Sequence, residues 1–169
     1  GGLGDSVVIN RPRCDGMFGI DISIMTGAGE VVIVGLQGGP LGGHALRVRR
    51  GNKISSTKMN IEQKGWNDVL FGIDRKVISV DGSELTSNSK INGLELEGTV
   101  SCQAGVPFNH LIYLDHTILA QLRRLNLYSP TQLTTTLLEC GPDNQYPMLL
   151  QPPTTDGLFT NKFIIPGGA

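Results

Sequence analysis

The stretch that decides the fold is Phe18-Gly19-Ile20-Asp21-Ile22-Ser23-Ile24-Met25. Phe18, Ile20, Ile22 and Ile24 alternate with Gly19, Asp21 and Ser23, the period of two expected of a strand that covers a core with one face. Working outward, Thr26-Gly27-Ala28-Gly29 supplies a turn into Val31-Val32-Ile33-Val34-Gly35-Leu36, so the two runs read as a hairpin. Leu46 and Val48 alternate with Arg47 and Arg49, and after Gly51-Asn52 a further strand places Thr57, Met59 and Ile61 on one side. Val69, Phe71 and Ile73 followed by Val77-Ile78-Ser79-Val80 suggest a second hairpin ending at Asp81-Gly82. Leu94, Leu96, Val100 and Cys102 share one side of another strand, with Gly98 as a bulge. Residues 133–138 and 159–165 give two more strands, whereas residues 140–157 hold no clear period.

One segment breaks the pattern. Ile118, Leu122 and Leu125 recur at helical spacing behind Asp115 or Thr117 as a cap and ahead of Pro130. The reading is therefore a mainly β chain, an antiparallel β-sandwich of jelly-roll type with one short α-helix near residues 116–128. Its 169 residues suit one domain, residues 1–169, and the termini read as those of a piece excised from a longer chain.

Composition narrows the partners. Fourteen basic and fifteen acidic residues leave a formal charge of -1, which argues against a dedicated nucleic-acid binder. No apolar run is long enough for a membrane helix, so no membrane insertion is expected. Cys14, Cys102 and Cys140 are too far apart for a metal knuckle and odd in number, leaving their pairing open.

Several residue groups carry candidate chemistry. The glycine-rich residues 35–43 lack the lysine and following helix of a phosphate cradle and read as a loop. Met25-Thr26-Gly27-Ala28 resembles an aspartic-protease loop, but a thioether stands where the carboxylate belongs. His44, then Asp74 or Asp81, then Cys140 or Ser101 follows the chain order of a chymotrypsin-like protease, without its oxyanion loop. His110, Asp115 and His116 are metal-ligand types lying close together. Arg47, Arg49, Arg50, Lys53 and Lys58 form a basic stretch suited to sulfate or phosphate, and Trp66 offers a stacking face to a sugar.

The order of elements over residues 18–114 resembles a laminin-G-like, or more broadly concanavalin-A-like, β-sandwich module. The strand at Phe18 to Ile24, the Trp66-Asn67-Asp68-Val69 segment and the Ile78-Ser79-Val80-Asp81-Gly82 hairpin carry the likeness. The resemblance implies an extracellular or surface-exposed module in which calcium is left open and no calcium ligands are placed. The expected function is non-catalytic recognition of a glycan or protein ligand through Arg47, Arg49, Arg50, Lys53, Lys58 and Trp66. A capsid projection or virion attachment domain, which would oligomerise, and a chymotrypsin-like protease are the alternatives.

Overall fold

The computed structural model describes residues 6–23, 30–84, 90–103, 107–145, 149–151 and 153–165. The elements are β1 (Ser6–Asn10), β2 (Ile20–Ser23), β3 (Glu30–Val34), β4 (Gln37–Gly38), β5 (Leu46–Arg50), β6 (Lys53–Gln63), α1 (Asp68–Phe71), β7 (Lys76–Asp81), β8 (Gly93–Cys102), β9 (Phe108–Asp115), β10 (Ala120–Cys140), β11 (Leu149–Leu150) and β12 (Thr154–Ile164). Every described strand pair is parallel. One sheet runs β1-β3-β6-β8-β10 and the other β2-β5-β7-β9-β10. The long strand β10 serves both, lying on β8 through residues 120–128 and on β9 through residues 134–140.

The chain thus alternates between two parallel stacks and returns each time one strand further along. That path is a β-solenoid, the coil architecture of a parallel β-helix. Parallel neighbours need a long crossover, ordinarily a helix. Here the crossover out of one sheet is the strand in the other, so almost no helix is needed.

This corrects the antiparallel sandwich and the laminin-G-like resemblance. No hairpin joins β2 to β3: β2 pairs with β5, while β3 lies between β1 and β6. The second expected hairpin fails equally, because β7 lies between β5 and β9. The error has a physical source. A solenoid strand buries one side and exposes the other, as a sandwich strand does, so alternation alone carries no information about direction. The turn at residues 26–29 and the end of the opening strand, Ile24 and Met25, lie outside the described residues.

The helix at 116–128 is also corrected, since residues 120–128 are extended. Ala120 and Leu122 are buried, then Leu125, Leu127 and Ser129. Between the two sets the register slips by one residue at Arg124, whose φ is 46°. A single left-handed residue turns the strand through a corner and shifts its parity. The three-residue step from Leu122 to Leu125 is therefore a strand period of two plus one corner residue, which imitates a helix.

The same corner recurs in neighbouring coils. Arg11, Gly35 and Lys58 have φ of 49°, 72° and 55°. Each follows the register column Asn10, Val34, Thr57. In β8 the extra residue is missing, and Gly98 takes the bend with φ 134°. An ideal Cβ at Gly98 would lie 2.4 Å from the backbone nitrogen and oxygen of Met59, so only glycine fits.

Register makes the core a set of columns. Val31, Ile54, Leu94 and Ala120 follow one another in the first sheet, and Ile61, Val100 and Leu127 do so beyond the corner. Leu46, Ile78, Ile112 and Leu138 form the matching column of the second sheet. All these residues are buried. Truncating one of their leucines or isoleucines to alanine removes contacts to the neighbouring coils, a loss of about 2–5 kcal/mol.

The corner geometry predicts opposite outcomes at two corner positions, Gly98 and Lys58. Gly98→Ala should lower unfolding free energy by about 2–4 kcal/mol, from strain plus overlap. Lys58→Gly, which relieves an unfavourable φ, should be neutral or stabilising by up to about 1 kcal/mol. Urea denaturation of the two variants measures both.

Candidate functional site

The solenoid distributes the basic stretch over different surfaces. Arg47 and Arg49 stand on β5, where Leu46 and Val48 are buried between them. Arg47 Nε donates to Glu84 Oε2 at 2.9 Å, and Arg49 Nη2 lies 3.0 Å from Asp21 Oδ2. Arg50 ends the same strand opposite Ser23. Gly51 and Asn52 then carry the chain around an edge to Lys53, the first residue of β6, whose Nζ lies 2.8 Å from Glu30 Oε1. Lys58 sits exposed at the left-handed corner. Arg47, Arg49 and Lys53 are thus matched to carboxylates, whereas Arg50 has no carboxylate partner among the described residues.

Trp66 is packed as a support. Its Nε1 donates to Gly72 O at 2.7 Å, and its ring meets His44 edge-on at 5.0 Å and Phe108 at 6.0 Å. Nearby, the buried Gln63 amide donates to Gly43 O at 2.7 Å and Pro40 O at 3.2 Å, tying down the glycine-rich loop.

The protease trio is engaged elsewhere in the fold. His44 Nδ1 donates to Lys76 O at 2.7 Å, and burial lowers its pKa to about 4. Burial, reinforced by Asp115 and Glu139, pushes the Cys140 thiol up to about 12. A thiol held so is protonated at neutral pH and is not a nucleophile. Ser101 Oγ donates to Ile61 O at 3.0 Å.

Of His110, Asp115 and His116, the fold unites two and separates the third. His110 Nε2 lies 2.7 Å from Glu139 Oε2. His116 Nδ1 lies 3.1 Å from Asp81 Oδ1 and 3.5 Å from Asp115 Oδ2, and its Nε2 lies 3.6 Å from Asp143 Oδ2. Asp115, His116 and Asp143 could together offer nitrogen and oxygen ligands to a cation. Their existing bonds show what they already do. Asp115 Oδ1 accepts from the backbone N–H of His116 at 2.9 Å and of Asp143 at 3.0 Å. Asn144 Oδ1 accepts from Thr117 Oγ1 at 2.8 Å, so the group staples residues 141–145 to the end of β9. Tyr113, packed beside it, has its phenol pKa raised by burial and by Asp115, Asp81 and Glu139.

Of the residues around the remaining feature, the sequence marks Lys53 alone. At the edge where the second sheet passes the chain to the next coil lies a cleft of about 310 Å³. Asn52, Lys53, Asn92, Glu95, Leu119 and Gln121 line it, contributed by three successive coils. Gly93 lies beside Lys53 in the ladder and, having no side chain, forms its floor. Asn92 Nδ2 donates to Asn52 Oδ1 at 2.8 Å, and half of Leu119 is exposed at the rim. The size is at the lower end of ligand pockets, and donors, acceptors and an apolar wall converge on it.

Comparison with known proteins returns no match among protein families, curated proteins or solved structures. The laminin-G-like resemblance finds no support there either.

Two outcomes follow from these environments. The unfolded chain protonates His44 near its ordinary value of 6.5, whereas the folded chain resists until about pH 4. The unfolded state therefore binds the extra proton between those values, and stability falls as pH falls through that window. At pH 5 the loss is about 2 kcal/mol relative to pH 7, and His44→Gln should remove that part of the pH dependence in denaturation curves. For the thiols, mass spectrometry after brief alkylation of the native protein should find Cys14 modified first, with buried Cys102 and Cys140 reacting only on unfolding.

Proposed function

We propose that this chain is a non-catalytic recognition module for a glycan, bound in the cleft between Lys53, Gly93 and Gln121. The observation that carries the reading is the lining of that cleft. Three amide side chains, Asn52, Asn92 and Gln121, can each donate and accept, which is what sugar hydroxyls require. Leu119 supplies an apolar wall for the C–H face of a sugar ring. Lys53 and Glu95 bring opposite charges, and Lys53 is already matched by Glu30. That balance favours a neutral glycan over a sulfated one. Of the residues expected from the sequence, Lys53 belongs to the cleft and Arg50 leads into it; Arg47 and Arg49 lie on the adjoining sheet.

A panel of immobilised neutral and sulfated oligosaccharides, followed by calorimetric titration, tests the assignment. Gly93→Val fills the floor, where even a Cβ would come within 3.3 Å of Lys53 Cγ. This variant and Gln121→Ala should each weaken binding of a neutral oligosaccharide at least tenfold, with little change in melting temperature. Unchanged affinity in both variants would remove the cleft from consideration.

A further inference from the structure

The turn that enters β8 is held on both sides of a single residue. Ile91 N–H donates to His116 O at 3.0 Å and Ile91 O accepts from Ile118 N–H at 2.7 Å, while Gly93 opens the ladder beside Lys53. Asn92 stands between them, outside any strand and exposed at the rim of the cleft. Its Nδ2 donates to Asn52 Oδ1 at 2.8 Å.

Asn92 is also the only asparagine of the chain that is followed by glycine. The backbone nitrogen of the residue after an asparagine can attack the side-chain carbonyl and close a succinimide ring, and a Cβ on that residue hinders the approach. Gly93 offers no such hindrance. Other asparagines are placed differently. Asn60 and Asn126 lie within strands and precede Ile61 and Leu127. Asn67 Oδ1 accepts from the N–H groups of Val69 and Leu70, and Asn144 Oδ1 accepts from Thr117.

We propose that Asn92 is a site of spontaneous modification, converted through a succinimide closed by Gly93 to aspartate and isoaspartate, and that the conversion shuts the cleft to its ligand. The second half rests on the glycan reading of the cleft; the first does not.

Nothing is oxidised or reduced in the conversion. The Gly93 nitrogen gives up its proton to solvent base and bonds to Asn92 Cγ, and the Cγ–Nδ2 bond breaks to release ammonia. Water then opens the ring. Attack at Cγ restores the ordinary backbone and leaves aspartate. Attack at the Asn92 backbone carbonyl leaves isoaspartate, with the chain running through Cγ and one carbon longer. Either product presents acceptors to Asn52 Oδ1 where Nδ2 had been a donor. Either also adds a negative charge beside Lys53 and Glu95, which bring one charge of each sign to the lining. Isoaspartate further lengthens the backbone directly ahead of Gly93, the floor of the cleft.

Incubation of the native chain in mildly alkaline buffer, sampled by peptide mapping with mass spectrometry, tests the modification. The peptide holding Asn92 should lose the mass of ammonia and gain that of water, faster as pH rises because the attacking nitrogen must be deprotonated. Gly93→Ala should slow the conversion at least tenfold. Its added Cβ meets the flexible Lys53 side chain at 3.3 Å, so circular dichroism and melting temperature should show a folded variant. Calorimetric titration with the neutral oligosaccharide tests the consequence: Asn92→Asp should bind at least tenfold more weakly than the unmodified chain. An Asn92 that stays intact in the native chain while the urea-unfolded chain converts would overturn the proposal, as would an undiminished rate in Gly93→Ala. Full affinity in Asn92→Asp would overturn the shutting of the cleft. A fresh, unmodified chain that binds no oligosaccharide would sink the glycan reading and the shutting with it, whereas the mass measurement decides the modification by itself.

Discussion

The structure depends on one constraint: in a parallel coil, each inward side chain must sit on the inward side chain of the next coil. Strands stacked about 4.8 Å apart bring like positions into contact. Leu46 therefore meets Ile78, and Ile78 meets Ile112. No residue of these columns is optional to its neighbours, because each is covered only by the coils on either side. The corner residues serve the same requirement. Arg11, Gly35, Lys58 and Arg124 bend the strands at matching levels, and Gly98 does so where the sequence has one residue fewer. The unusual φ values are thus the means by which coils of unequal length keep one register.

Variation between coils is pushed to the outside. The long connection at residues 64–75 and the residues around Asn92 join strands that still pair with the neighbouring coils. Such excursions create the features that are not mere repetition. One carries the exposed Val69, Leu70 and Ile73; the other, with Gly93 leaving a gap in the ladder, forms the cleft. The carboxylate and histidine group at Asp115, His116 and Asp143 shows the alternative fate of an excursion, in which polar side chains fasten a connection down.

Much of the β content was legible. Alternation marked the strands around Ile20 and Ile22, Leu46 and Val48, and Leu94 through Cys102 because each buries one side. Direction was not legible, since the pattern of a half-buried strand is the same whichever way its neighbour runs. The repeat was hidden by unequal connections, and the corner at Arg124 converted a strand period into a helical one. For the site, Lys53 was marked by its charge, yet Asn52, Asn92, Glu95 and Gln121 gave no signal because register, not spacing along the chain, brings them together. Asp115 and His116 were visible as neighbours, while Asp143 arrives from a segment without any period.

Pairing of cysteines placed on outward positions of β6 and β8 tests the parallel register most directly. Asn60 and Thr99 are direct partners in that ladder. Their expected separation, about 5 Å between Cα atoms, lies within disulfide range. The variant Asn60→Cys, Thr99→Cys should form an intramolecular disulfide under mild oxidation, while Lys53→Cys, Ser101→Cys, at opposite ends of the two strands, should not. The reverse result, a bond between positions 53 and 101 and none between 60 and 99, would mean that the strands run antiparallel and would contradict the solenoid.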